Sequence, residues 1–317
     1  MKSKSQLIVT GGSGFIGRHF LQAAKGRPVR ALTRSYDSHT DRGPAVCWVE
    51  GDLTSSAVWR SLLVPGSTVI NLAYPAGLSD AQVVEAARVM VRECAATNVA
   101  RLIHCSTISV YGRTPGGIID ETTPCNPLDG YGRRKLAIEN AIRDADSGAC
   151  EVAILRPAAV FGNGGQNLVA LMKSLSQGNV AVRYLRGSLF GRRKMHLVPV
   201  QTVVAALLYL ADVPRSVAGQ IFNISDDGDP RNNYQEIERI LLDALGLAGR
   251  RLSVPLMPEL ALKAMLVLRG RSELDPYCSY ADEKLRHWGF SSPVDFEEEL
   301  RSFARHWRAE MSLEEHA

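Results

Sequence analysis

The sequence predicts an α/β fold: a doubly wound parallel sheet with helices on both faces, and a smaller, mixed C-terminal lobe. Three observations predict it. Short runs rich in Val, Ile and Leu alternate with helical patterns through the first half of the chain. Those runs are almost continuously apolar, as strands covered on both faces require. A glycine-rich turn, Gly11-Gly12-Ser13-Gly14-Phe15-Ile16-Gly17, directly follows the first run.

Gln6–Thr10, Val29–Thr33, Val46–Glu50, Thr68–Asn71, Arg101–Ser106 and Glu151–Arg156 read as strands. Ala81–Asn98 and Tyr131–Asp146 read as helices between them, and the βαβ order makes the sheet parallel. Beyond Gly162 the rhythm loosens. Leu168–Gln177 and Val203–Ala211 read as helices and Gln220–Ile224 as a further strand. Pro255 to Arg269 is an apolar helical stretch. Its centre, Leu260–Leu268, reads better as a lobe helix packing its apolar face than as a membrane contact. Ala281–Trp288 and Phe296–Arg308 read as closing helices. Residues 1–162 are thus expected to form a nucleotide-binding domain. Residues 163–317 are expected to form mainly a substrate lobe, interleaved with the last strands of the sheet.

Composition narrows the class. Of 317 residues, 45% are apolar and 22% charged, enough to bury a sizeable core. The net charge of +4 suits an anionic small molecule and is too weak to argue for nucleic acid. Cys47, Cys94, Cys105, Cys125, Cys150 and Cys278 form no C-x-x-C pair, so neither a metal site nor a disulfide scaffold is expected. Scattered thiols fit a reducing cytoplasm. The first apolar run is too short for a signal segment or a stable membrane insertion.

The glycine turn lies where a strand gives way to an amphipathic helix. Glycines there let the chain turn sharply and bring backbone N–H groups close to a pyrophosphate facing the helix N-terminus. The second strand ends in Thr33-Arg34-Ser35. An NAD site usually places an acid here for the ribose hydroxyls. A guanidinium instead suits a 2′-phosphate, so NADP is the preferred cofactor and NAD the alternative. Asp52 and Leu53 follow the third strand and are placed to meet the adenine edge; Asp52 suits a helix cap equally well.

Tyr131-Gly132-Arg133-Arg134-Lys135 puts a tyrosine and a lysine on one helical face. A free tyrosine has a pKa of about 10. A neighbouring ammonium and a positive nicotinamide ring would lower it and fit it for proton transfer. Cys105-Ser106-Thr107-Ile108-Ser109-Val110-Tyr111-Gly112 follows the fifth strand, and a hydroxyl there can bind the substrate oxygen and align it with the tyrosine.

With these pieces in order the chain resembles an extended short-chain dehydrogenase/reductase of the NAD-dependent epimerase/dehydratase type, with its Rossmann-type fold. The carrying motifs are T-G-G-S-G-F-I-G, G-D-L, N-L-A, S-T-I-S-V-Y-G, D-E-x-x-P-x-x-P, Y-G-R-R-K and R-P-A-A-V-F-G, spanning Thr10 to Gly162. The run Lys284–Phe290 resembles the family's ending. The resemblance implies Tyr131 as acid/base, Lys135 as its helper and Thr107 as the hydroxyl partner. It implies Gly11, Gly14, Phe15, Ile16 and Gly17 around the pyrophosphate. It sets Asn71 and Ala73 along the cofactor, Pro157 and Val160 near the nicotinamide, and a homodimer through the helices containing Ala81–Asn98 and Tyr131–Asp146.

The resemblance further implies a nucleotide-diphosphate sugar as substrate, through 4-keto reduction or 4-epimerisation. Sugar dehydratases of the family carry acids where this chain has Ile108 and Ser109, which disfavours dehydration. Two other readings stand beside this one: an NADP-dependent reductase of a non-sugar carbonyl, and a non-catalytic NADP-sensing protein. The second half is less orthodox. Gln201 and Thr202 stand where an acid is common, and Pro199 is unusual. Arg183, Arg186, Arg192, Arg193 and Lys194 form a basic run, of which Arg192, Arg193 and Lys194 are the candidates to hold a diphosphate. His196 reads as a packed or surface residue.

Overall fold

A computed structural model describes residues 5–35, 46–75, 77–114, 116–177, 180–247, 255–258, 264 and 277–314. In chain order the strands are β1 Leu7–Thr10, β2 Val29–Thr33, β3 Val46–Glu50, β4 Thr68–Asn71, β5 Arg101–Cys105, β6 Ile118–Ile119, β7 Glu151–Pro157, β8 Ala159–Phe161, β9 Leu197–Pro199, β10 Gln220–Ile224 and β11 Ser279–Tyr280. The helices are α1 Phe15–Ala23, α2 Ser56–Leu62, α3 Asp80–Ala96, α4 Gly130–Asp144, α5 Val169–Gln177, α6 Val180–Phe190, α7 Val200–Asp212, α8 Tyr234–Ala244, α9 Glu283–His287 and α10 Phe296–Glu314.

Seven strands make one parallel sheet in the order β3-β2-β1-β4-β5-β7-β10. Pleat alternation explains the apolar runs. Leu7 and Val9 enter the core beneath α1 and α7, with Phe20, Val203 and Leu207. Ile8, between them, enters the opposite core beneath α2, α3 and α4, with Trp59, Met90 and Ile138. The strand order reverses between β1 and β4, which opens a crevice outside their C-terminal ends. The glycine turn follows β1 into that crevice.

The second half of the chain returns to the sheet, supplying the edge strand β10 and the covering helix α7. Its remaining elements bury a third core, in which Phe161, Leu168, Met172, Leu241, Leu300 and Trp307 meet. Two short parallel pairs, β6 with β11 and β8 with β9, stitch the lobe to the sheet domain.

Two helices of the lobe are absent from the sequence-based expectation. Helix α8 is capped by the Asn233 side chain and buries Tyr234, Ile237, Ile240 and Leu241. Helix α6 runs through part of the basic run and corrects its reading. Arg183 is only 1% exposed, and its guanidinium pairs with Glu238 of α8 at 2.9 Å, so it is spent inside the lobe. Of the apolar helix expected over Pro255 to Arg269, residues 255–258 are not helical and the rest, apart from Ala264, lies outside the described residues. Among the described residues no helix is long and apolar enough to cross a membrane.

Helix α4 is fixed to the sheet by a buried ion pair. Glu139 of α4 accepts from the Arg156 guanidinium of β7 at 2.6 Å, and neither side chain meets solvent appreciably. The guanidinium lies 4.9 Å from the Tyr111 ring centroid, and the Tyr111 hydroxyl donates to Asn223 of β10 at 2.8 Å. Removing one partner strands a buried charge. Glu139→Gln is therefore expected to cost roughly 3–5 kcal/mol of unfolding free energy in urea titrations. Replacing both partners by apolar residues of similar volume should recover most of that loss.

Candidate active site

The cradle comes first. Gly11 has φ +72°, and a Cβ there would lie 2.7 Å from the Ala73 amide nitrogen. A Cβ on Gly17 would lie 2.1 Å from the Gly11 carbonyl oxygen, so α1 can start this close to the turn only with glycine. Gly14 is the N-cap of α1 and contributes no side-chain cap, and no acid occupies the first turn. The opening N–H groups of α1 thus face the crevice as an anion site. Phe15 and Ile16 open that turn; the Phe15 ring turns to Gly162 and Gly165 and stacks edge-on against His19.

The crevice is a cleft of about 450 Å³ lined in part by Gly11, Gly14, Arg34, Asp52, Leu53 and Ala73. Six of the residues proposed from sequence for the cofactor therefore share one wall. Asp52 does not cap α2; Ser55 does, accepting from Val58. The Asp52 carboxylate instead accepts from the Thr54 amide at 2.7 Å and the Thr54 hydroxyl at 2.6 Å. Those bonds, aided by nearby Arg34, hold it below the usual carboxylate range. The cleft thus keeps one anion beside its cation.

Asn71 sits deeper. It accepts from the Thr10 hydroxyl at 2.6 Å, and its amide reaches His104 Nδ1 at 2.9 Å. This chain ties the C-terminal ends of β1, β4 and β5 together. Burial holds His104 well below the usual histidine range, so it is neutral and its Nδ1 accepts the amide proton. Asn71 is thereby a strand-end tie beneath the cleft. Pro157 and Val160 stand at the end of β7 and in β8, both buried, and Val160 pairs with Val198. Neither belongs to the wall formed by the other six.

Thr107, Tyr131 and Lys135 come together just past β5. Thr107 donates to the Ser109 hydroxyl at 3.2 Å and accepts the Ser109 amide proton at the same distance. Its side chain also bonds the Tyr131 phenol. Tyr131 lies in the first turn of α4, which Asp129 caps by accepting from Gly132 at 2.7 Å. A Cβ on Gly132 would lie 2.5 Å from the Ser109 carbonyl oxygen, so glycine sets the approach of α4 to the Thr107 turn.

Lys135 is 4% exposed and donates to the Cys105 carbonyl at 2.9 Å. Burial lowers its pKa, against the pull of Cys105 and Glu139. The expected depression of the tyrosine is not found in the protein alone. Burial pushes the Tyr131 phenol up to about 12, Cys105 and Tyr74 add to the rise, and only the Thr107 bond opposes it. The reason is geometric: the ammonium is turned to the Cys105 carbonyl.

Tyr74 is the residue that sequence reasoning passed over. Its ring lines the cleft, stands 5.2 Å edge-on from the Tyr131 ring, and has the Lys135 ammonium 5.5 Å from its centroid. It thus joins the cofactor wall to the reacting pair. Its signal was its position, directly after Asn71-Leu72-Ala73.

The three basic residues proposed for substrate do not act together. Arg192 and Lys194 line an open groove of about 530 Å³ with Arg231 and Asn233, away from the cofactor wall. Arg193 turns the other way, stacks over Phe190 at 5.4 Å, and feels the charges of Tyr277 and Cys278. Lys194 donates to the Asp227 carbonyl. Gln201 and Thr202 enter α7, where Thr202 bonds the Ser292 hydroxyl at 2.8 Å.

A parallel sheet with a glycine cradle at its switch point, and a threonine, tyrosine and lysine beside it, defines a nicotinamide-dependent enzyme of the short-chain dehydrogenase/reductase class. Residues 7–225 match the NAD dependent epimerase/dehydratase family, and the chain belongs to it. Its cofactor is NAD or NADP. Over 286 residues the chain is 28% identical to short-chain dehydrogenase/reductase family 42E member 1 of Xenopus laevis, covering 80% of this chain and 72% of that one. Over 185 residues it is 33% identical to the dTDP-6-deoxy-L-talose 4-dehydrogenase (NAD(P)(+)) of Kitasatospora kifunensis, covering 53% and 57% of the two chains. It spans a little over half of the length of other curated relatives, 55% and 58% in two of them. The Bordetella bronchiseptica enzyme WbmG in complex with NAD shares the fold, with a TM-score of 0.73 at 19% identity, covering 97% of this chain and 95% of that one.

The contact at Gly132 makes a direct test. Gly132→Ala should move the start of α4 off the Thr107 turn and lower kcat/KM by about a hundredfold. Cofactor affinity, measured by fluorescence titration, should change little.

Proposed function

We propose that this enzyme acts on a nucleotide-diphosphate sugar, by 4-keto reduction or 4-epimerisation, with NADP as its preferred cofactor. The carrying observation is the convergence of Thr107, Tyr131 and Lys135 beside the cleft. A bound nicotinamide would supply hydride exchange at the carbinol carbon. The chain's residues handle the proton. Thr107 holds the substrate oxygen by a hydrogen bond. Tyr131, protonated well above neutral pH, donates to that oxygen as a carbonyl is reduced and takes the proton back in the reverse direction. Lys135, which now donates to the Cys105 carbonyl, would hold the nicotinamide ribose. The absence of acids at Ile108 and Ser109 argues against dehydration.

Sugar chemistry is supported by family membership and by the likeness to the Kitasatospora 4-dehydrogenase. In this reading residues 163–317 mainly bind substrate, and Arg192 and Lys194 serve its diphosphate. A second reading, reduction of a non-sugar carbonyl, gains from the Lys194 bond to the Asp227 carbonyl and the turned Arg193, which engage two of the basic groups elsewhere. We further assign the protein to the cytoplasm, on its unpaired thiols. We assign it to a homodimer through α3 and α4, which pack together on one face of the sheet; light scattering should give twice the chain mass.

Three measurements test the activity. NADPH oxidation and sugar NMR across nucleotide sugars, their 4-keto derivatives and lipophilic ketones should show turnover with the sugars. Turnover confined to the ketones would establish the second reading instead, and none with any substrate despite tight cofactor binding would refute catalysis. Tyr131→Phe should lower kcat by about 10²–10⁴-fold with cofactor affinity intact. Arg34→Ala should weaken NADP about tenfold and leave NAD nearly unchanged; an equal effect on both would remove the NADP assignment.

A further inference from the structure

A second cluster of reactive groups lies in the lobe, on residues the proposed reaction does not use. Cys278, at the start of β11, has its Sγ 3.8 Å from His196 Nε2. His196 Nδ1 lies 2.7 Å from the Asp227 carboxylate. Thiol, imidazole and carboxylate thus stand in line, each nitrogen of the ring facing one partner.

The carboxylate end is built and rigid. Asp227 is almost fully buried. Its Oδ2 also accepts from the Tyr280 amide at 2.8 Å, its Oδ1 accepts from Asn232 at 3.3 Å, and its amide donates to Ser225 at 3.1 Å. A carboxylate so held fixes the proton on Nδ1 and leaves Nε2 as the acceptor facing the thiol. The ring itself is clamped edge-on against Tyr280 at 4.9 Å. His196 holds a left-handed backbone, φ +51°, a conformation that costs a non-glycine residue energy. The surrounding bonds maintain it.

The electrostatics agree. Asp227 and Cys278 overcome burial and bring His196 up to about 9. The other ionisable groups facing the cluster include Arg193, whose guanidinium feels the charge of Cys278, Lys194, bonded to the Asp227 carbonyl, Asp226, which feels the charge of Asp227, and Tyr277, Tyr280 and Tyr111. Cys278 is 9% exposed and the His196 side chain 24%.

We propose that Cys278 is an activated thiol and a site of covalent modification by hydroperoxides, with His196 as its proton acceptor and Asp227 as the group that orients His196. His196 takes the thiol proton. The thiolate attacks one peroxide oxygen; an S–O bond forms as the O–O bond breaks. Sulfur gives up two electrons and becomes sulfenic acid. The departing hydroxide takes the proton from His196 and leaves as water, so thiol and hydrogen peroxide become sulfenic acid and water. The other described cysteines lack this pairing with histidine and carboxylate, and exposed Cys47 serves as an internal reference.

The test uses the full-length protein with one equivalent of hydrogen peroxide and dimedone at about pH 6.5, with trapping followed by peptide mass spectrometry. Cys278 should trap about tenfold faster than Cys47. Asp227→Asn should erase that advantage and leave Cys47 unchanged. His196→Gln, which touches a half-exposed position, should do the same if Asp227→Asn does not fold. Trapping of Cys278 no faster than Cys47 in the wild type would overturn the proposal, as would an advantage that survives loss of His196.

Discussion

The buried pair between Glu139 and Arg156 is the constraint on which the site rests. Tyr131 and Lys135 occupy the first turns of α4, and that helix has a polar sequence with little apolar surface to lock it down. An ion pair with no access to water supplies the missing direction. It joins α4 to β7, and through Arg156 and Tyr111 it reaches the turn that carries Thr107. Asn223 then extends the network to β10, where its backbone N–H donates to the Glu121 carboxylate at 2.7 Å. Tyr111, Glu121 and Arg156 belong to the motifs that first suggested the family. Their structural work is to hold three separate segments in register around Thr107, Tyr131 and Lys135.

Much of this was legible in the sequence because the sheet is covered on both faces. Strands of that kind must be apolar throughout, and six of the seven were read from the first half of the chain by that feature alone. The glycine cradle was legible for a different reason: its positions leave no room for a Cβ. The lobe was harder. Helix α6 inverts the usual pattern, burying Arg183 against Glu238 and turning Val180, Tyr184 and Leu185 outward. No apolar periodicity points inward there. Helix α8 carries ordinary signals, an Asn233 cap and apolar residues at helical spacing, but they fall where the βαβ rhythm has already ended. Strands β6 and β11 have two residues each, too short for alternation to register.

The site shows a subtler limit of sequence reading. The spacing of Tyr131 and Lys135 correctly set both on one helical face. It could not set where the ammonium points. A lysine this buried needs acceptors, and the Cys105 carbonyl at the end of β5 is the one within reach. In the protein alone, burial therefore governs the phenol and keeps it protonated. The positive charge that would lower its pKa must come chiefly from the bound, oxidised nicotinamide. In the proposed reaction the same tyrosine would be an acid when a carbonyl is reduced and a base when the oxidised cofactor is bound. That coupling matches proton transfer to the direction of hydride transfer without moving the side chain.

Tyr74 gives this coupling a physical path. Its ring belongs to the cofactor wall and also touches both members of the reacting pair. A dinucleotide held in the cleft would lie against that ring, with Tyr131 and Lys135 beyond it. The Lys135 ammonium, now over the ring face, would be released toward the ribose, exchanging a cation–π contact for hydrogen bonds to hydroxyls. Cofactor entry and the arming of the lysine would thus be one event.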